Sequence, residues 1–461
     1  MFGFELHRDS GLSNGKQLEN AIREAILTGK LEAGFRLPAT RVLARDMQIA
    51  RNTIVQTYEQ LIAEGYLEAR EGSGTYVAEI GKLPGPKLGN YTERTAASKK
   101  KDRIAFDAGN PDTHSFPRIQ WAKKLKEACL EADESALSYN NYDGHPALKL
   151  AIRSYVYRMK GIECDESQII IVPGASGGME LLAKTFKKRE NRIALEDPCI
   201  HFIKKIFAGH EYGLCPIPVD VQGMDVKQLQ ELPNVNLIYV VPSHQYPIGG
   251  VLPVARRIAL LQFAAERNAY VIEDDYDSEF RYKGEALQAL RNLDPERVIY
   301  LGSFSKIFTP SLRLGYMILP AHLCEPVKYQ LQETNLWAGK IEQSALARFM
   351  DEKLLDKHIY KMRKLYENKR KYLISCLEDE FGDRIKISGE YAGLHLLVTF
   401  DHDLCEKDLQ AIEDAGLEVD YVEDYALIKG YNKNKLVLGY GALSMSQMEA
   451  GVKGLYKALT E

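Results

Sequence analysis

Six short apolar segments between residues 169 and 318 constrain the fold of this chain more than any other feature. Each is rich in aliphatic residues or tyrosine, and amphipathic stretches with helical spacing separate them. Strands that are apolar on both faces and alternate with helices are typical of an α/β domain built on a buried sheet. We predict that one sheet contains the segments 169–172, 192–195, 237–241, 270–272, 298–301 and 315–318.

The pattern of apolar residues changes from about residue 355. Segments 394–398 and 435–439 predict strands of a smaller α+β lobe. We therefore place a two-lobed domain at residues 105–461.

Residues with complementary chemistry stand at the ends of the predicted strands. Lys306 lies among small hydroxyl residues in segment 302–306, Arg313 follows it, and Asp274 ends a buried strand upstream. Pyridoxal phosphate needs an amine for its aldehyde, cations and hydroxyls for its phosphate, and a carboxylate for its ring nitrogen. The three residues predict a site for this cofactor, with Lys306 forming the Schiff base.

Further residues complete the predicted cofactor site. Tyr276 can bond the phenolic oxygen of the ring, and the glycine-rich turn 172–178 opens a helix whose N-terminus suits a phosphate. We expect burial and neighbouring cations to depress the pKa of Lys306. Taken singly, Asp274 can cap a strand, Lys306 can be a surface lysine and Arg313 can form a structural ion pair; their order and spacing favour the cofactor. The phosphate group is assigned to Ala175, Ser176, Ser303, Ser305 and Arg313.

Residues 1–78 predict a winged helix-turn-helix, which is an α+β fold of three helices and a hairpin with a glycine tip. The third helix of such a domain enters the major groove of DNA, and the wing approaches the minor groove. An isolated arginine on a helix is more often a solvated surface charge. The surrounding helix-turn-helix pattern favours DNA contact for these arginines instead. The predicted DNA contacts are Arg41, Arg51, Asn52, Thr53, Gly72, Ser73 and Gly74.

Residues 79–104 predict a semi-flexible linker, because Gly and Pro interrupt any periodicity before the basic run Lys99-Lys100-Lys101. The lysines can serve solubility alone or add phosphate contacts beside an operator.

The N-terminal motifs resemble the GntR family of bacterial transcription regulators. The matching motifs are Leu31-x-x-Gly34-x-x-Leu37-Pro38, Arg41-x-Leu43-Ala44, Arg51-x-Thr53, Tyr58-x-x-Leu61 and Gly65-Tyr66-Leu67. Ala39 and Ala50 depart from the family, which usually has serine there. Loss of an N-cap costs about 1 kcal/mol of helix stability.

Residues 105–461 resemble the fold type I aminotransferases, and the runs 242–249 and 273–281 are similar to the MocR-type regulators. That group fuses a GntR domain to an aminotransferase-like domain. The resemblance implies a homodimer, typically head-to-tail, in which Tyr139 reaches the cofactor phosphate of the other subunit. It also implies an arginine for the substrate carboxylate, but Val437 stands at that position. His201, His244 and Arg281 are the remaining candidates for this role, each with a structural alternative.

Composition limits the cellular setting. The net charge is −4, which argues against wholesale binding of polyanions, and the seven cysteines include no C-x-x-C pair. These features favour a reducing bacterial cytoplasm and predict no metal site, no secretion signal and no membrane span.

Three functions remain open from the sequence. The first is a transcription regulator that binds operator DNA and pyridoxal phosphate, with an amino compound (an amino acid or a D-alanyl dipeptide) or pyridoxal phosphate itself as the effector. The second is an active aminotransferase with an appended DNA-binding or dimerisation domain. The third is a catalytically inactive dimeric fold. The GntR pattern and the missing arginine favour the first.

Overall fold

The structure, a computed structural model, describes residues 11–80, 103–140, 142–187, 191–284 and 287–460. The chain divides into two compact units, Met1–Lys99 and Lys100–Glu461. Among the helices within these described ranges, none has the length and apolar character needed to cross a bilayer.

The first unit is the predicted winged helix-turn-helix. Buried Leu18, Ile22, Ile54 and Leu61 hold its helices together. Neither Ala39 nor Ala50 provides a side-chain N-cap, as the sequence indicated. The elements are α1 (Asn14–Leu27), α2 (Thr40–Met47), α3 (Arg51–Ala63), β1 (Leu67–Arg70) and β2 (Gly74–Val77).

The second unit alternates strands and helices before it ends in a smaller lobe. In chain order its first half contains β3 (Ile104–Ala105), α4 (Arg118–Leu130), α5 (Glu134–Leu137), α6 (Pro146–Lys160), β4 (Ile169–Val172), α7 (Gly174–Thr185), β5 (Arg192–Asp197), α8 (His201–Gly209), β6 (Gly213–Asp220), β7 (Gly223–Met224), β8 (Leu237–Val240) and α9 (Val254–Arg267). Its second half contains β9 (Tyr270–Asp275), β10 (Val298–Ser303), β11 (Gly315–Ile318), α10 (Cys324–Thr334), α11 (Lys340–Asp351), α12 (Leu354–Phe381), β12 (Ile385–Ser388), β13 (His395–Phe400), α13 (Glu406–Asp414), β14 (Leu417–Glu418), β15 (Asp420–Tyr421), α14 (Val422–Tyr425), β16 (Lys435–Gly439) and α15 (Met445–Thr460).

All six predicted segments belong to one eight-stranded sheet. Its strand order is β4-β11-β10-β9-β8-β5-β6-β7, with β11 antiparallel to both of its neighbours. The apolar strands are buried on both faces, as the sequence pattern required. Strands β6 and β7 at one edge were not predicted, and β6 has a mixed pattern with two prolines, which is typical of strands outside the sheet centre.

The smaller lobe contains a four-stranded antiparallel sheet in the order β12-β13-β16-β15. Strand β3, which begins the second unit, pairs in parallel with β14 of this lobe. The sequence did not indicate this long-range pairing, which brings residues 107–109 beside the lobe.

Parallel neighbours β9 and β10 end at the same edge of the large sheet, with Leu301 opposite Asp274. On the other side of β10, Gly302 leaves room for the ring of Tyr316 in β11, since a Cβ there would lie only 2.3 Å from that ring. The fold thus collects the polar strand ends at one edge of the sheet.

Candidate functional site

A cavity of about 530 Å³ opens where strands β9 and β10 of the large sheet end. Most of the residues predicted for the cofactor line it: Ala175, Ser176, Asp274, Tyr276, Ser303, Ser305, Lys306 and Arg313. Tyr139 does not line this cavity. It is 85% exposed, and its ring centroid lies 6.2 Å from that of Trp337.

Asp274 carries a carboxylate oxygen without a partner. The hydroxyl of Tyr239 donates to its Oδ2 at 2.8 Å, whereas Oδ1 is buried and accepts no hydrogen bond from the described residues. Burial raises the pKa of Asp274 to about 7, against the hydrogen bond from Tyr239. A ligand that donates to Oδ1 with a positively charged N–H would therefore stabilise the ionised carboxylate.

Arg313 and the start of α7 form a pocket for an anion. The guanidinium lies against Gly174, so closely that a Cβ there would be 3.1 Å from it. Its Nη2 donates to the carbonyl of Pro173 at 3.1 Å and to Oγ of Ser176 at 2.8 Å. Nε and Nη1 make no hydrogen bond within the described ranges. The free N–H groups at a helix N-terminus beside a guanidinium suit a phosphate.

Lys306 reaches into the cavity from the loop after β10. Its ammonium donates to the carbonyls of Gly109 and, at 3.4 Å, of Ala108. Burial lowers its pKa, as predicted. The expected help from neighbouring cations was wrong, because the charged groups that act on it are the carboxylates of Asp107, Asp277 and Asp420, which oppose the shift. A lowered pKa leaves more of the amine uncharged at neutral pH, and the uncharged amine is the form that acts as a nucleophile.

Tyr276 connects the cavity to a buried polar group. Its hydroxyl donates to the carbonyl of His244 at 3.0 Å and lies 3.3 Å from Nδ1 of the same residue. Nδ1 of His244 is also 3.1 Å from the Asp277 carboxylate. His244, Asp277 and His395 are all buried, and their potential metal-ligand atoms lie within 4.8 Å of one another.

The candidates for binding a substrate carboxylate lie in different parts of the second unit. His201 lines the cavity, but burial lowers its pKa, so that it is mainly neutral at pH 7. His244 and Arg281 do not line the cavity. Val437 is fully buried in the small lobe, where it pairs across the sheet with Asp420.

Sequence reasoning missed the cavity residues that come from distant parts of the chain. Asp107 and Gly109 follow β3, and Asp420 and Tyr425 come from the small lobe. No local motif marks them. Tyr239 had a signal, since its hydroxyl in an otherwise apolar buried strand requires a hydrogen-bond partner.

The predicted DNA contacts cluster on exposed parts of the first unit. Arg41, Arg51 and Asn52 are exposed at the start of α2 and α3, and Thr53 is half-buried. The hairpin tip Gly72, Ser73 and Gly74 is exposed, with positive φ at both glycines.

Arg36 is a further candidate for DNA contact that the sequence did not single out. Its Nε would lie 3.2 Å from a Cβ at Gly74, so that the guanidinium stands directly at the wing. Its Cζ is 6.0 Å from the ring centroid of Tyr76.

The chemistry of the cavity fits pyridoxal phosphate. The unpaired Oδ1 of Asp274 suits a protonated ring nitrogen, Lys306 offers an amine, and Arg313 with the α7 N-terminus suits the phosphate. The volume of about 530 Å³ is in the range of small-molecule sites.

Comparisons with known proteins agree with this chemistry. Residues 14–77 match the gntR family of bacterial regulatory proteins, and residues 101–424 match the aminotransferases of class I and II. The chain is 33% identical over 470 residues to the probable rhizopine catabolism regulatory protein MocR of Rhizobium meliloti, covering 98% of this chain and 95% of that protein. It is 32% identical to the pyridoxine biosynthesis transcriptional regulator PdxR of Corynebacterium glutamicum, covering 92% and 91%.

The solved structures give the same fold. Kynurenine aminotransferase of Pyrococcus horikoshii, determined with PMP, superposes with a TM-score of 0.73 at 27% identity, covering 78% of this chain and 91% of that chain. The predicted aminotransferase fold of the second unit is thereby confirmed.

Proposed function

The chain belongs to the MocR-type regulators of the GntR family, and we propose that it senses a small molecule through a cofactor held at Lys306. As a member it is a DNA-binding transcription regulator that depends on pyridoxal phosphate. The effector is an amino compound or pyridoxal phosphate itself. The regulator binds operator DNA in the bacterial cytoplasm, at the nucleoid.

The unpaired Oδ1 of Asp274 carries the proposal, because it is a buried acceptor to which none of the described residues donates. In our assignment Asp274 holds the ring nitrogen, and Tyr239 orients the carboxylate. Tyr276 lies beside the phenolic oxygen. The phosphate is held by Ala175, Ser176, Ser303, Ser305 and Arg313.

Lys306 anchors the cofactor in this assignment. Bound pyridoxal phosphate supplies an electrophilic aldehyde carbon that combines with primary amines. The lowered pKa of Lys306 keeps part of its amine uncharged, as this attachment requires.

A regulator fits the cavity better than an aminotransferase does. Turnover needs an oxo-acid held by its carboxylate in the second half-reaction. Among the described residues that line the cavity, the charged nitrogen groups are those of Lys306 and Arg313, and both are assigned to the cofactor. Rapid multiple turnover with a panel of amino acids would contradict the regulator and support the enzyme.

We propose that the regulator works as a head-to-tail homodimer. The exposure of Tyr139 and its absence from the cavity of its own chain support a role in the partner's phosphate site. In the first unit, α3 would read the operator through Arg51, Asn52 and Thr53. Arg41 and the wing residues Gly72, Ser73 and Gly74 would contact the backbone or the minor groove.

Lys306→Ala tests the proposed function. The variant should lose the visible absorbance of bound pyridoxal phosphate and the response of operator binding to cofactor and amines. Operator affinity measured by fluorescence anisotropy checks the second point. Lys386→Ala, which removes an exposed lysine of β12, is the matched control and should keep both properties. An unaltered response in Lys306→Ala would overturn the proposal.

A further inference from the structure

One end of the cavity carries negative charge that the proposed cofactor does not use. Asp107 and Asp420 line this end, and both act on Lys306. The two oxygens of Asp107 already accept hydrogen bonds from the backbone N–H of Gly109 and from the side chain of Asn110. Each oxygen of Asp420 likewise accepts one hydrogen bond, but its donors are two tyrosines whose rings line the same cavity, and this distinguishes Asp420 from Asp107 as the contact for a ligand.

Asp420 is held in place by two tyrosines. Its Oδ1 accepts from the hydroxyl of Tyr425 at 2.7 Å, and its Oδ2 accepts from that of Tyr246 at 3.3 Å. Its partner across the sheet is the buried side chain of Val437, so no cation stands opposite it in β16. Asp420 is half-buried, and burial raises the pKa of its carboxyl group. A cation beside it would offset this cost.

Aromatic rings border the same carboxylate. The rings of Tyr246 and Tyr425 meet edge to face, with centroids 5.2 Å apart, and His201 stacks on Tyr425 at 4.3 Å. All three line the cavity. The ammonium of Lys204 donates to the backbone carbonyl of Tyr425 at 2.6 Å, and Lys204 does not line the cavity. Aromatic faces next to a carboxylate are a common arrangement for binding an ammonium group.

We propose that the effector is a small amine with a second cationic centre and no carboxylate. Its second ammonium lies against Asp420 and beside the rings of Tyr246 and Tyr425, while its first amine is directed toward Lys306. A carboxylate at the same position would face Asp420 and would be rejected. The inference rests on the proposed sensing function and narrows its effector class.

Three ligands of equal chain length test the proposal on the full chain loaded with pyridoxal phosphate: 1,5-diaminopentane, 1-aminopentane and 5-aminopentanoate. Calorimetric titration should show the diamine binding about tenfold more tightly than the monoamine, and the amino acid more weakly than either. Equal affinities, or tighter binding of 5-aminopentanoate, would overturn the proposal.

Asp420→Asn assigns the preference to this residue. It should remove the advantage of the diamine over the monoamine, measured as the ratio of the two dissociation constants within the same variant. Tyr425→Phe, which keeps the carboxylate but removes the bond to Oδ1, should reduce the advantage and serves if Asp420→Asn fails to fold. Asp424→Asn, an exposed neighbour, is the control and should keep the full preference. An unchanged preference in both Asp420→Asn and Tyr425→Phe would contradict the assignment.

Operator binding measured in the same titrations separates the two proposals. A diamine preference without any change in operator binding would contradict the proposed regulation and support the ammonium site. A change in operator binding that is equal for all three ligands would support the regulation and contradict the ammonium site.

Discussion

The hydroxyl of Tyr239 donates to Oδ2 of Asp274 at 2.8 Å, and it does so from a neighbouring strand of the large sheet. This bond fixes the carboxylate so that only Oδ1 remains available. Both groups are buried, and the geometry is therefore set before any cofactor arrives.

Removing this bond should weaken cofactor binding. Tyr239→Phe deletes a hydrogen bond to a charged group, which contributes about 1.5–3 kcal/mol. We expect the Kd for pyridoxal phosphate to rise roughly 10–100-fold, measured by titration of the cofactor absorbance. Tyr212→Phe is the matched control, since that buried hydroxyl donates only to the carbonyl of Ala183. An unchanged Kd in Tyr239→Phe would contradict the orienting role.

The stability of the cofactor-free protein should fall as pH rises. The folded-state pKa of Asp274 is about 7, above its ordinary value of 3.8. Between these values the folded state holds a proton that the unfolded state has released, so the free energy of unfolding decreases with pH. The loss continues through pH 7 and levels off about one pH unit higher, and its full size is on the order of 4 kcal/mol.

Asp274→Asn should flatten this dependence. Both tryptophans, Trp121 and Trp337, lie in the second unit, so denaturant unfolding followed by their fluorescence reports on this unit. Glu196 and Glu273, with pKa values raised to about 8 and about 7, should leave a residual slope of the same sign. Equal slopes in wild type and Asp274→Asn between pH 5 and 8 would argue against the raised pKa.

Arg51→Ala should weaken specific operator binding. If Arg51 bonds a base edge, its loss costs about 1–3 kcal/mol and relaxes specificity at one position. Footprinting and anisotropy at fixed salt measure this. Lys30→Ala removes an exposed positive charge just after α1 and controls for net charge. Unchanged footprints would exclude the assigned role of Arg51.

Mixed dimers should show whether Tyr139 serves the partner site. Tyr139→Phe subunits should retain pyridoxal phosphate poorly, because a hydrogen bond to the phosphate is lost. Co-expression with Lys306→Ala subunits creates one site that has both native residues, so cofactor retention should recover in part. Mixing Tyr139→Phe with the double variant Tyr139→Phe/Lys306→Ala creates no intact site and is the control. Recovery that does not exceed this control would contradict the exchange.

Local sequence patterns predicted most of the strands and helices and the main chemical groups of the cavity. Short continuous apolar runs that alternate with amphipathic helices indicate buried strands, because a strand covered on both faces excludes water from both sides of the sheet. Polar residues at strand ends, such as Asp274 and Lys306, then fall at one edge wherever neighbouring strands are parallel. Local patterns thus predicted eight residues lining the cavity and the helices and hairpin of the first unit.

The remaining residues of the cavity follow from the tertiary structure and not from local patterns. Asp420 and Tyr425 come from the small lobe, and Asp107 arrives through the pairing of β3 with β14. Their positions depend on long-range contacts that leave no periodic signal in the chain. The same is true of the charges around Lys306, because the three carboxylates that oppose the lowering of its pKa by burial come from distant parts of the chain. A local pattern places a side chain on a strand or turn, but its charge environment depends on residues that are distant in sequence.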